Sequence, residues 1–278
     1  MTIREYSLPA GWYPRIPAEI GGFLAGFALP LKGPGAIAAV APHAGWFYSG
    51  RVAARAVSSL SAQVQTVAVI GGHLPAGMPP LFALEDGVRT PQGIMPIDST
   101  LRDSLMPELD GAEDRCRDNT VETLLPMVRH FFPKASLVWL RLPAEIASFE
   151  AGALLAKTAA QLGRTVAVLA STDLTHYGVN YGFSPKGGGP EALRWVREVN
   201  DANFIHAVEE GKPAAVLERA EADCSACSAG AVLGAMGFAA ERRSGSARLL
   251  EYATSADVVK GEGLPDSFVG YAAFAYPS

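Results

Sequence analysis

Three histidines in this sequence each follow an apolar run of β-type composition. His43 closes the run from Ala36 to Pro42, and His73 closes Thr66 to Gly72. His176 lies in the polar cluster of Ser171, Thr172 and Asp173 that ends Val166 to Ala170. Imidazole is a ligand for iron, copper and zinc, and such sites are often completed by a carboxylate or a thiolate. One histidine in a βα turn reads most simply as a satisfied polar residue. Three of them at the same place in three strands point to one shared site. A thiolate is on offer from Cys227, at the start of the Ala/Gly-rich stretch from Ala229 to Gly237, where a helix dipole favours ionised sulfur.

Other candidates carry two readings each. Asp173 and His176 are three residues apart, the spacing at which side chains on a helical turn face the same way. Asp173 then orients His176 or joins it in the site, or else it caps a helix. Glu122 is a general base, a hydrogen-bond acceptor behind the site residues, or an exposed helix carboxylate. Cys224 and Cys227 form a lone Cys-x-x-Cys that lacks the second pair of a zinc ribbon. Cys116 and Cys224 read as small buried packing residues. His130 and His206 fall inside helical segments and read as surface or helix-terminal residues.

Strands must deliver these groups. Short Val- and Leu-rich runs bounded by turn residues fit strands covered on both faces, and side chains past their C-terminal ends project into the ligand crevice of open α/β sheets. We expect strands at Thr66–Ile70, Ser136–Leu140 and Val166–Ala170, closing strands at 249–254 and 268–275, and a hairpin over 81–90 turning at Asp86-Gly87. Gly71 and Gly72 are expected to turn the chain sharply or to meet a ligand. Helices are expected at 17–27, then after a break at Gly33-Pro34-Gly35, at 51–60 with Ser49 as cap, from Asp98 to about Met106, and from Asp118 or Asn119 with a break at Pro126. Further helices are expected at 144–162, 191–210, 213–220 and 225–240, with the glycine-rich loop from Tyr181 to Pro190 as a lid. Strands alternating with helices predict one domain over residues 1–278, a three-layer α/β/α sandwich with a mostly parallel or mixed central sheet.

Composition narrows the function. The chain has 278 residues, 49% of them hydrophobic, and a net charge of −5, without a basic stripe for nucleic acid. Three cysteines make no disulfide framework and suit a reducing compartment. The N-terminus lacks the apolar core of a signal peptide, and the apolar run from Gly21 to Ala41 is broken by Pro30, Lys32 and Pro34, so no membrane span is expected. A soluble cytoplasmic protein is the expectation.

Several stretches resemble the signature blocks of the MEMO family. Pro42-His43-Ala44-Gly45-Trp46-Phe47-Tyr48-Ser49-Gly50 and Ser171-Thr172-Asp173-Leu174-Thr175-His176-Tyr177-Gly178 are the specific ones. Gly11-Trp12-Tyr13-Pro14, Thr90-Pro91-Gln92-Gly93, Glu122 with Leu125-Pro126, Tyr252-Ala253-Thr254-Ser255 and Val269-Gly270-Tyr271 extend the likeness along nearly the whole chain. The resemblance implies the LigB-like fold of the class III extradiol dioxygenases, which hold non-haem Fe(II) with two His and one Glu and use a further His as acid/base. Carried over, His43 and His73 become ligands, Cys227 takes the place of the Glu, and His176 becomes the acid/base with Asp173 beside it. The sequence departs from the family pattern at Gly71-Gly72 before the second His, at Ser228 after the Cys, and at Asp118-Asn119-Thr120 before Glu122.

The resemblance thus implies a metal-binding oxidoreductase with Fe(II) or Cu, Zn being the third candidate, acting with dioxygen on a small, aromatic or otherwise chelating substrate. Trp46, Tyr48, Glu122 and Tyr177 would line its pocket. Two rivals stand beside it: a non-catalytic adaptor whose aromatic pocket binds a peptide, protein partner or small anion, and a zinc hydrolase with a metal-bound water.

Overall fold

The computed structural model describes residues 1–28, 35–259, 263 and 265–278. The Gly33-Pro34 part of the expected break lies outside them. In chain order the strands are β1 (Ile3–Arg4), β2 (Ala36–Ala41), β3 (Thr66–Leu74), β4 (Leu81–Phe82), β5 (Gly87–Thr90), β6 (Gly93–Pro96), β7 (Ala112–Glu113), β8 (Ser136–Pro143), β9 (Val166–Ser171), β10 (His176–Gly178), β11 (Arg248–Thr254) and β12 (Ser267–Pro277). The helices are α1 (Pro17–Ala25), α2 (Trp46–Ser59), α3 (Ser99–Glu108), α4 (Asn119–Glu122), α5 (Leu125–Phe131), α6 (Ala147–Gln161), α7 (Pro190–Trp195), α8 (Asp201–Glu209), α9 (Pro213–Ala222) and α10 (Ala229–Glu241).

Nine strands form one mixed sheet in the order β10-β12-β2-β9-β3-β8-β4-β7, with β11 paired to β12. Its middle, β2-β9-β3-β8, is parallel, and β12 runs antiparallel against β2. Period-two alternation divides each central strand between two cores. Ala39, Val67, Val69, Leu137, Ala167 and Leu169 face α1, α2 and α5, whereas Val40, Ala68, Ile70, Val138, Val168 and Ala170 face α3, α6, α8 and α10. The result is the expected α/β/α sandwich. A separate three-stranded sheet, β1-β5-β6, sits beside it.

Several boundaries differ from expectation for identifiable reasons. The glycines at 71 and 72 do not turn the chain, because β3 continues through them to Leu74. They admit other protein segments: a Cβ at Gly71 would strike Thr120, and one at Gly72 would lie 2.5 Å from Ser228 Oγ. The hairpin is β5–β6, turning at Pro91-Gln92 with Gly93 at φ +109°, and not at Asp86-Gly87. Asp86 instead accepts the Thr2 N–H at 2.6 Å and so seats β1. Helix α2 starts at Trp46, five residues before the expected start, and Ser49 donates to Ala44 O at 2.9 Å instead of capping. Asp98 caps α3 by accepting from Leu101 N, and Asp118 caps α4 by accepting from Thr120 N, as expected. Pro126 begins a new helix, α5, after the chain breaks at Thr123-Leu124.

Helices α6 and α10 cross with almost no side chain between them. Gly152 lies against the Gly234 backbone, Gly237 against Phe149 O, and Gly230 against Pro143 O at the end of β8, each too close for a Cβ. Small residues allow main chain to pack directly on main chain. Cys227 sits two residues ahead of α10, so this seam sets where its backbone begins.

Candidate metal centre

The parallel strands β2, β9 and β3 are immediate neighbours, so their C-terminal ends share one edge of the sheet. His43 follows β2 and is 1% exposed. Its Nδ1 is paired with Ser171 Oγ at 2.5 Å, its backbone N–H donates to Asp173 Oδ1 at 2.8 Å, and Asn119 Nδ2 donates to its carbonyl at 3.1 Å. With Nδ1 occupied, Nε2 faces Cys227 Sγ at 3.3 Å. His73 interrupts the β3–β8 register and takes a left-handed backbone, φ +57°, which costs a non-glycine residue roughly 1–2 kcal/mol. That twist sets its ring 4.9 Å from the His43 ring, nearly perpendicular. Its Nδ1 is held by Asp118 Oδ2 at 2.9 Å, and Asp118 is backed by the buried Arg141 at 3.3 Å.

Cys227 is anchored from both sides. Its N–H donates to Asp173 O at 3.2 Å, while its sulfur receives the Asp173 N–H at 3.3 Å. One donor atom each from His43, His73 and Cys227 lies within 4.8 Å of the others. Burial opposes ionising the thiol, but the charge and hydrogen bonds of His43 and His73 hold it well below its ordinary range. Burial likewise opposes the imidazolium forms. Asp118 and Cys227 nevertheless push His73 up to about 10, and Asp173 and Cys227 raise His43. Asp118 is itself lowered, because its bonds to His73 and Thr120 outweigh its burial.

Next to this cluster lies a cavity of about 630 Å³, lined among others by Asp173, His176, Tyr48 and Asn119. His176 is not on a helical turn: it begins β10, which pairs antiparallel with β12. Its Nδ1–H donates to Leu174 O at 3.1 Å and its ring meets Tyr181 edge-on at 5.0 Å; among the described residues nothing hydrogen-bonds to Nε2. Asp173 is not a helix cap either, since its carboxylate holds the His43 backbone.

Of the expected pocket residues, only Tyr48 lines this cavity. Trp46 is buried against Phe23 and Tyr13, its indole N–H donating to Thr123 O at 2.9 Å. Tyr177 follows His176 in a strand and must point to the opposite face, where it stacks on Phe268 at 5.1 Å. Its hydroxyl donates to Gly187 O and accepts from Lys186 N, which ties the glycine-rich loop down. Glu122 is buried, not exposed; it accepts from Ser7 N, Leu8 N, the Ser7 hydroxyl and the Tyr13 hydroxyl, and so fastens the N-terminal segment. That segment brings Trp12 into the cavity wall, held by Trp46 N donating to Trp12 O at 2.8 Å. Cys116 and Cys224 are exposed, not buried, and His130 and His206 lie on the surface as expected.

Sequence reasoning missed Trp12, Tyr181 and Tyr271 as cavity residues, and Ser171 and Asp118 as partners of the imidazoles. Asp118 was visible as a cap, and it does both tasks. Among the described residues no helix is long and apolar enough to cross a membrane.

The family model for "Memo-like protein" matches residues 4–275. A MEMO1 family protein of Pyrococcus horikoshii is 29% identical over 290 residues, covering 97% of this chain and 98% of its own. One from Pyrococcus abyssi is 30% identical over 251 residues, with 84% of each chain covered. Among solved structures, an uncharacterized protein from Escherichia coli aligns with a TM-score of 0.44 and 14% identity, covering 85% of this chain and 98% of that one.

Proposed function

The chain belongs to the Memo-like protein family, and from the cluster on its sheet edge we propose that it is a metal-dependent oxidoreductase with His43, His73 and Cys227 as ligands. One observation carries this reading: three donor atoms lie within 4.8 Å of one another, and both imidazoles are held at Nδ1, with His43 Nε2 turned to the Cys227 sulfur at 3.3 Å. Two imidazoles and a thiolate suit iron, copper or zinc and leave coordination positions open. We assign iron or copper, as the sequence resemblance to the extradiol dioxygenases implies. When bound, the metal supplies Lewis acidity and a one-electron couple for dioxygen.

The protein's own groups do the rest. Ser171 and Asp118 fix the imidazole orientations. His176, anchored through Nδ1, exchanges a proton with substrate at Nε2. Asp173 is the second polar group at the cavity floor, set between the His43 backbone and Cys227. The aromatic wall orients a small ring-bearing substrate and excludes water. Free thiols at Cys116 and Cys224 suit a reducing compartment such as the cytoplasm.

A second reading, a binding protein without turnover, is favoured by Phe47, 68% exposed and packed edge-on against Tyr48 at the cavity rim. Elemental analysis of protein purified without chelator tests the metal site. We expect near-stoichiometric metal that is lost in His43→Ala; metal-free protein with unchanged affinity in that variant would sink it. Catechol-dependent oxygen uptake abolished by His176→Ala separates the enzyme from the binding protein.

A further inference from the structure

The cavity also carries information about the charge of its ligand. This inference deepens the reading above and rests on it only in taking the cavity as the substrate site. Asp173 is 3% exposed and lines the cavity floor. Its Oδ1 accepts the His43 N–H, but among the described residues no donor hydrogen-bonds to Oδ2. The group that approaches Oδ2 is His43 Nε2 at 3.9 Å, and that nitrogen is already turned to the Cys227 sulfur at 3.3 Å. Oδ2 thus opens on the cavity, where a donor brought by a ligand can reach it.

The walls point the same way. The rings of Trp12, Tyr48, Tyr181 and Tyr271 surround the space, and no described lining residue is Lys or Arg. Aromatic faces attract cations, and the one basic side chain in the described lining that a carboxylate or phosphate would meet beside Asp173 is the His176 imidazole. From these features we propose that the cavity takes an aromatic molecule bearing an ammonium group, which donates to Asp173 Oδ2, and that it rejects anionic analogues.

Calorimetric titration with three non-chelating phenols tests this: tyramine, para-ethylphenol and para-hydroxyphenylpropionate, which present a cation, no charge and an anion on one ring. We expect tyramine to bind at least about tenfold tighter than the propionate, with the neutral phenol between them. In Asp173→Asn the spread should shrink to within about threefold. Because that variant also loosens the His43 backbone, a second one is made on the exposed rim: Asn180→Lys should strengthen propionate binding by about tenfold. Equal affinities, a preference for the anion, or no binding by any of the three would overturn the proposal. Metal content measured on the same samples keeps the two readings apart. Stoichiometric metal without charge preference sinks this inference alone, and charge preference without metal sinks only the metal site.

Discussion

A methyl group placed on Gly72 would press directly on the segment that carries the thiolate. Its Cβ would lie 2.5 Å from Ser228 Oγ and 2.9 Å from Ser228 Cα, where ordinary van der Waals separation begins at 3.4 Å. The hydroxyl can rotate away, but the α-carbon is main chain, so the 227–228 backbone or β3 must give by roughly 0.5–1 Å. Overpacking of this kind costs about 1–3 kcal/mol, which for a chain of this size lowers Tm by roughly 2–12 °C. The functional cost is larger. Metal sites tolerate errors of only about 0.2 Å in ligand distance, and Cys227 precedes Ser228 directly, so Gly72→Ala should lower zinc affinity by at least about 100-fold. Competition against a chromophoric chelator measures the affinity, and thermal unfolding of metal-free protein measures the fold. Adding Ser228→Gly removes the hydroxyl but leaves the clash with the main chain, so the double variant should recover only part of the loss. Gly22→Ala is the control: nothing lies within 4 Å of its Cβ, and it should be neutral or stabilising by up to about 1 kcal/mol. Wild-type zinc affinity in Gly72→Ala, at wild-type Tm, would refute the reasoning.

Three further outcomes are expected. Despite burial, Asp118 and Cys227 hold the His73 proton up to about 10, so zinc uptake at neutral pH should release about one proton or more and strengthen as pH rises; calorimetry in buffers of different ionisation enthalpy counts the release, and a value near zero would contradict this. Asp201 is fully buried, and burial raises its carboxyl from an ordinary 3.8 to about 6 despite bonds from Thr175 and Tyr252. A raised folded-state value means stability that is complete below about 4 and lost as pH climbs through 6, amounting to about 3 kcal/mol; Asp201→Asn should flatten that slope in denaturant titrations, and an unchanged slope would count against it. Glu122→Gln puts an amide NH2 opposite two of its four donors, one of them a backbone N–H that cannot reverse, which should cost about 1–3 kcal/mol and speed hydrogen exchange over residues 7–13 while sparing α10.

The site was legible where the sheet is parallel and covered on both sides. Runs such as Ala36–Ala41 and Val166–Ser171 have no polar face, which marks them as central strands, and central parallel strands must send their C-terminal residues to one edge. That logic groups His43, His73 and His176 without knowledge of strand order; His43 and His73 meet at the cluster, and His176 lines the adjacent cavity. It failed where a residue's neighbours come from far along the chain. Nothing in the local pattern says that Glu122 meets Ser7 and Tyr13, or that Gly72 is empty for the sake of Ser228. The stretch from Ser171 to Gly178 misled because three-residue spacing suits a helix, whereas pairing with β12 makes it a strand and sends Tyr177 away from His176. β1 has two residues and no periodicity to read; only its pairing with β5 defines it.

The glycine seam between α6 and α10 has a consequence for how the protein can vary. Gly152, Gly230 and Gly237 let α10 rest on neighbouring main chain, where an added Cβ would meet the backbone of Gly234, Pro143 and Phe149. Repacking the hydrophobic interior elsewhere can therefore proceed without shifting the sulfur, because its datum is peptide against peptide. The same rigidity offers no slack: a single added methyl along that line has nowhere to go, and the displacement travels down the helix axis to Cys227 undamped.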